Sequence, residues 1–144
     1  MKPKTANLTP DQLEDVRRKL ASGVAPDAIV LTRTQAARKG AKLGEMNWLE
    51  TAFAKHLDTQ KAAGMVVAWH YECFRMRIAF GDKPAWIKVD FFVLYSDGSI
   101  RLFETKGFWR EAARLRIKVA AGVYPWAKFI GVKRIKQEWI YEQF

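Results

Sequence analysis

Cysteine is nearly missing from this chain of 144 residues, where Cys73 stands alone. One thiol excludes a disulfide framework and a cysteine-based zinc site within one chain. Histidine is as scarce, with only His56 and His70, so a histidine-rich metal site is disfavoured. His70 and Cys73 lie three apart in a strand-like run and face opposite ways, which argues against a nucleophile–base pair. No stretch nears the roughly 20 apolar residues that cross a bilayer as a helix. The opening residues, Met1 to Thr5, lack the apolar core of a secretory signal. A cytoplasmic protein with no membrane partner is therefore expected.

Positive charge is what the chain has in excess. Lys and Arg number 25 against 15 Asp and Glu, for a net charge of +10. Such a balance favours a polyanionic partner, nucleic acid first. The excess is not confined to a tail: residues 1–44 carry nine basic and four acidic groups, and residues 45–144 carry sixteen and eleven. Apolar residues make up 49%, enough for a core of one ordinary domain.

Two regions follow from the pattern, an N-terminal helical arm over 1–44 and a core domain over 45–144. In the arm, Thr9-Pro10-Asp11-Gln12 reads as a capped helix start, with Leu8 and Leu13 placed for a hydrophobic staple and Gly23 as the stop. A weaker helix, ambiguous and partly extended at Ile29-Val30-Leu31, runs to about Arg38. In the core, Met46, Leu49, Phe53 and Leu57 fall on one face of a helix over 46–62. Residues 66–80 and 86–95 then read as strands, and Tyr95-Ser96-Asp97-Gly98-Ser99 as a hairpin turn leading into a strand over 100–106. A helix over 109–121 closed by Gly122, a strand over 128–132 and a short element of undefined type over 138–144 complete the chain. A strand–helix–strand crossover implies parallel pairing. The expected fold class is a mixed α/β (α+β) domain.

The chemistry concentrates in the hairpin. Asp90 interrupts the apolar run Ile87–Val93, and Glu104 and Lys106 share a face at the end of the next strand. If the turn is a three-residue loop with Gly98 left-handed, Tyr95 opposes Ser99 and Asp90 opposes Glu104; a two-residue loop would spoil the alignment. Opposed β-carbons lie about 5 Å apart, so both carboxylates could share one hard cation. Oxygen ligands select magnesium or manganese over zinc. Lys106 beside them would orient or deprotonate a water and stabilise charge on a phosphate. Glu50, on the buried stripe of its helix, either joins this group or closes a capping box with Asn47; the two roles are compatible.

Asp90 followed by Glu104-Thr105-Lys106 resembles the motif of the PD-(D/E)xK nuclease superfamily. Asn47-Trp48-Leu49-Glu50, Lys88-Val89-Asp90-Phe91, Asp97-Gly98, Glu104-Thr105-Lys106-Gly107-Phe108 and Arg116-Ile117-Lys118 together resemble its small phage endonuclease I-like, Holliday-junction-resolvase-like branch. The likeness covers about residues 45–133, and Val89 stands where many members have proline. It implies a restriction-endonuclease-like αβββαβ core and magnesium-dependent hydrolysis of DNA phosphodiesters, with manganese able to substitute. It also implies a homodimer acting on branched DNA, and 5′-phosphate products. By this likeness Glu50, Asp90, Glu104 and Lys106 are the catalytic residues, and the Thr105 carbonyl joins Asp90, Glu104 and Glu50 around the metal.

For DNA, Arg110, Arg114 and Lys118 form an i, i+4, i+8 ridge able to follow phosphates. Arg116 is expected to lean toward the carboxylates. Arg38, Lys39 and Lys42, with Arg33, are candidates for a DNA-binding arm. Two other readings stand beside the nuclease: a catalytically inactive nucleic-acid-binding protein, and a phage protein that inhibits a host factor through its tryptophan-rich surface.

Overall fold

The computed structural model describes residues 45–144, together with 9–11, 14, 18 and 29–31. Pro10, Asp11, Glu14 and Arg18 are helical, as the Thr9-Pro10 start predicts. The hydrophobic staple at Leu8 and Leu13, the stop at Gly23 and the basic residues Arg33, Arg38, Lys39 and Lys42 lie outside the described residues.

Helix α1 (Trp48–Ala62) begins where Asn47 caps it, the Asn47 side chain accepting from the Leu49 and Glu50 amides at 2.9 Å each. Glu50 Oε2 accepts in return from the Asn47 amide at 2.8 Å, completing the capping box. Leu49, Phe53 and Leu57 recur every four residues, and all three are buried. Gly64, at φ 78°, turns the chain into the first strand of the large sheet.

The strands sort into two sheets. Strands β1 (Ile29–Leu31), β3 (Phe74–Ala79) and β4 (Ala85–Lys88) form a small antiparallel sheet in the order β1-β3-β4. Strands β2 (Val66–Tyr71), β5 (Phe91–Tyr95), β6 (Ile100–Thr105), β7 (Lys128–Ile135) and β8 (Glu138–Gln143) form a mixed sheet in that order. Only β6 and β7 run parallel, linked through α2 (Glu111–Val123) as the crossover pattern predicts. The fold is therefore mixed α/β with two helices in the core region.

Alternation places a core on each face of the large sheet. Phe91, Val93, Phe103 and Val132 point toward α1, where they meet Phe53 and Leu57. Phe92, Leu94, Leu102 and Phe129 point the other way, into a second core with Met76 and Ile117 from β3 and α2. Two polar pins fix the layers. The Trp69 indole donates to Asp58 of α1 at 2.9 Å, and the Tyr124 hydroxyl donates to the Arg77 carbonyl of β3 at 2.6 Å.

Several elements differ from expectation for identifiable reasons. Residues 87–93 are not one strand: the chain leaves the small sheet after Lys88 and enters the large one at Phe91, with Asp90 at the switch. The Asp90 carbonyl there accepts from the Glu72 amide at 2.8 Å, which ties the switch to the β2–β3 turn. Helix α2 starts at Glu111 because the Trp109 ring is drawn into the core, and it runs through Gly122 to the buried Tyr124 cap. Ile29–Leu31, from the stretch read as an arm, is an edge strand on β3. Residues 138–143 are a strand paired with β7.

Gly131 in β7 leaves room for the Trp109 ring, since a β-carbon there would lie 2.6 Å from Trp109 Cζ2 and 3.0 Å from Phe144 Cε2. Gly131→Ala should therefore cost about 1–3 kcal/mol by overpacking, read as a thermal midpoint several degrees lower. An unchanged midpoint would show that the Trp109 ring is not confined as described.

Candidate functional site

The β5–β6 turn decides what meets at the strand ends. The Tyr95 amide donates to the Ser99 carbonyl at 3.0 Å, the Gly98 amide donates to the Tyr95 carbonyl at 2.9 Å, and Gly98 has φ 79°. Three residues thus form the loop, with glycine in the left-handed region. Pairing then runs from Leu94–Ile100 to Phe91–Phe103. The ladder ends there, and Asp90 and Glu104 are the next residues on its two sides, near enough for the Glu104 charge to act on Asp90.

Asp90 is nearly buried, and its Oδ2 accepts twice from Thr105: from the amide at 2.7 Å and from the hydroxyl at 2.8 Å. The side chain thus takes over a hydrogen bond that a continuing strand would draw from its backbone, which is why the ladder can end here. Burial and the neighbouring Glu104 push the Asp90 carboxyl up to about 7, against the opposing pull of Thr105 and Lys106. Glu104 is also raised, chiefly by burial. Its Oε1 pairs with Lys106 Nζ at 2.7 Å, the Asp90 backbone N–H also favours its charged form, and its Oε2 has no hydrogen-bond partner among the described residues. Burial alone would lower the Lys106 ammonium, but the bond to Glu104 and the charges of Asp90 and Glu50 outweigh it and leave it raised. Lys106 accordingly stays cationic near neutrality. Of the two roles open to it, orienting water and phosphate fits this state, and removing a proton does not.

Glu50 stands at the rim of this group. Its Oε2 serves the capping box and also accepts from the Tyr71 hydroxyl at 2.9 Å. Its charge acts on both Glu104 and Lys106. Of the two roles expected for Glu50, the helix cap is present; toward the carboxylate pair it acts through its charge, and it forms no three-membered metal-holding group with Asp90 and Glu104. Tyr71 was not foreseen. Burial and the Glu50 bond raise its hydroxyl and hold it protonated, so it is a fixed donor to that carboxylate. Nothing in the sequence marks it: it is one aromatic among many, 21 residues from its partner.

The expected DNA ridge is interrupted. Arg110, Arg116 and Lys118 are exposed. Arg114 is instead tied to Glu142 of β8 through both guanidinium nitrogens, Nη2 lying 2.9 Å from Oε2. Arg116 makes no ion pair with the carboxylates and is not among the charges that act on Asp90 or Glu104. The expectation that it leans inward is corrected: Ile117 and Ala120 take the buried face of α2, and Arg116 lies outside it.

A hard cation is compatible with this donor set. A buried carboxylate beside a half-buried one, both with raised proton affinity and one carrying an oxygen with no partner among the described residues, form an incompletely satisfied anionic site. Among the described residues no group of three or more His, Cys, Asp or Glu side chains is placed to hold a metal ion, so an ion here would have at most the Asp90 and Glu104 carboxylates. That is consistent with magnesium, which keeps several waters and takes one or two carboxylates. No protein-family model, no curated protein and no solved structure matches the chain.

The raised Asp90 carboxyl gives a signed pH effect. The folded chain holds a proton that the unfolded chain releases near pH 4, so this group's contribution to stability falls as pH rises toward about 7. Asp90→Asn keeps the acceptor for Thr105 and removes the charge. In metal-free buffer, its melting temperature minus that of the native sequence should grow by several degrees between about pH 5 and about pH 8. A difference that stays constant or shrinks would contradict the raised proton affinity. Taking the difference removes the opposing contribution of His56 and His70, whose folded affinities are lowered by burial.

Proposed function

We propose that the chain is a metal-dependent endonuclease of the PD-(D/E)xK kind that hydrolyses DNA phosphodiester bonds. The observation that carries the reading is the convergence of Asp90 and Glu104 beside Lys106, with Glu104 Oε2 buried and unpartnered. The element order supports it: a helix bearing Glu50, an antiparallel hairpin bearing the two carboxylates, and a helical crossover to a parallel strand. So does the net charge of +10.

Asp90, Glu104 and the Thr105 carbonyl would hold magnesium, with Glu50 supporting them from α1. When bound, the ion would lower the proton affinity of a water and neutralise charge on the scissile phosphate. Lys106, held by Glu104, supplies a fixed positive charge to the phosphate and orients the attacking water. Tyr71 holds Glu50 in place and donates its proton to nothing else in the site. The Thr105 amide and hydroxyl orient Asp90, so its second oxygen is presented in one direction. Branched DNA and a homodimer acting on it are the substrate and assembly implied by the resemblance, and phage DNA processing in a bacterial cytoplasm is the setting.

The direct test incubates the protein with linear duplex, single-stranded and four-way-junction DNA in manganese or magnesium. Cleavage is expected for the native sequence. A loss of about 100-fold or more is expected for Lys106→Ala, with DNA binding retained. Asp90→Asn and Glu104→Gln should each weaken manganese binding measured calorimetrically. No cleavage in either metal, together with DNA binding that survives Asp90→Ala, would leave a nucleic-acid-binding protein in place of the enzyme. Equal cutting of linear and junction DNA would remove the preference for branches.

A further inference from the structure

The outer face of the β3–β4 hairpin carries a different kind of surface. Phe74, Met76 and Ile87 point inward to the core. Arg75, Arg77, Trp86 and Lys88 alternate with them and share the outer face, Arg75 opposite Lys88 and Arg77 opposite Trp86. The Arg75 guanidinium lies 4.6 Å from the Trp86 ring centre, and that of Arg77 lies 5.0 Å from it and 5.7 Å from the Phe80 ring. Phe80, at the hairpin tip, is 54% exposed. The strip is thus a row of planar groups, alternately cationic and aromatic, on the β3–β4 part of the three-stranded sheet, with Phe80 and Arg75 exposed and Arg77 and Trp86 half-buried.

Its position relates it to the carboxylates. Lys88 closes the strip, bridged to Glu72 at 2.9 Å, and Asp90 follows two residues later. From Trp86 to Asp90 is four residues, about 13 Å if extended. A strand laid along the hairpin would reach the candidate site within a few nucleotides.

We propose that this face binds the unpaired single-stranded part of a DNA substrate and delivers it to the Asp90–Glu104 site. The role in delivery rests on the nuclease reading; the binding does not. Duplex DNA hides its base faces within its own stack, so a row of exposed planes has nothing to stack on there. An unpaired strand offers each base face to Phe80 and Trp86, and sequence matters little because every base has one. The Arg75 guanidinium, 4.6 Å over the Trp86 ring, still has N–H donors to offer phosphate oxygens, so the one residue can serve base and backbone together. Charge complementarity selects the strand over an apolar partner. The exposed Arg75 and Lys83 supply that charge, against Asp82, while Lys88 is paired with Glu72.

The test is fluorescence anisotropy of a labelled oligothymidylate and of a blunt duplex, with chelator present so that no cutting occurs. The native chain should prefer the single strand, with binding that weakens as salt rises. Phe80→Ala and Arg75→Gln, both at exposed positions, should each weaken single-strand binding on the order of tenfold and duplex binding far less. Trp86→Ala is expected to do the same, with its thermal midpoint measured beside it. Unchanged single-strand affinity in both exposed-position variants would overturn the proposal, as would equal losses on duplex. The cleavage assay with manganese is run in parallel. Cutting that proceeds unaltered in variants that bind normally removes this surface and leaves the enzyme. Selective loss of single-strand binding with no cutting by the native chain keeps the surface and removes the enzyme.

Discussion

A buried carboxylate set against a half-buried one meets repulsion, and most folds avoid the arrangement. In this chain the hairpin between β5 and β6 imposes it. The left-handed Gly98 sets a three-residue loop, the loop sets the register, and the register brings Asp90 against Glu104. Thr105 and Lys106 reduce the strain without removing it, since both carboxyls still hold protons more tightly than in water. A buried ionic group rarely improves stability over an apolar one. On the nuclease proposal, a divalent cation would supply the charge that this pair lacks.

The surrounding structure serves that corner. The large sheet is covered on both faces, by α1 on one side and by α2 with the small sheet on the other. The hairpin strands can consequently be almost wholly apolar up to the point where the acids begin. The chain also changes sheets at Asp90, which lets a side chain replace the backbone in bonding the Thr105 amide. Glu50 arrives from α1 already fixed twice, by its own helix cap and by Tyr71. Rigid supports of this sort are what a site needs if it is to hold an ion and a phosphate in one geometry.

What could be read beforehand divides along the range of the interactions. Local signals carried through: the Asn47–Glu50 capping box, the Tyr95–Ser99 turn, the 3.6-residue period of Leu49, Phe53 and Leu57, and the parallel crossover between β6 and β7. The pairing of Asp90 with Glu104 was legible because one turn determines it. Long-range features were not. The split of 87–93 between two sheets depends on the Glu72 amide bonding Asp90, and Tyr71 meets Glu50 only through the packing of β2 on α1. Arg114 looked like part of a solvent ridge, yet its partner is 28 residues away on a strand whose type the sequence left open. Arg116 fell outside the buried face because Trp109, read as a helical residue, lies before α2, and Ile117 and Ala120 mark the face that the helix buries.

The distribution of cations follows from the same geometry. With Arg114 engaged by Glu142, the α2 surface keeps Arg110, Arg116 and Lys118, which are separate point charges suited to a phosphate backbone. The β3–β4 face is different in kind, because its arginines lie against aromatic rings. Isolated charges read only the backbone, whereas stacked planes discriminate paired from unpaired bases. On these proposals, the first surface would meet the phosphates of a substrate and the second would tell its unpaired bases from its paired ones. The branched substrate itself rests on the resemblance in the motif, and the two surfaces add to it only a physical means of telling a free strand from a duplex.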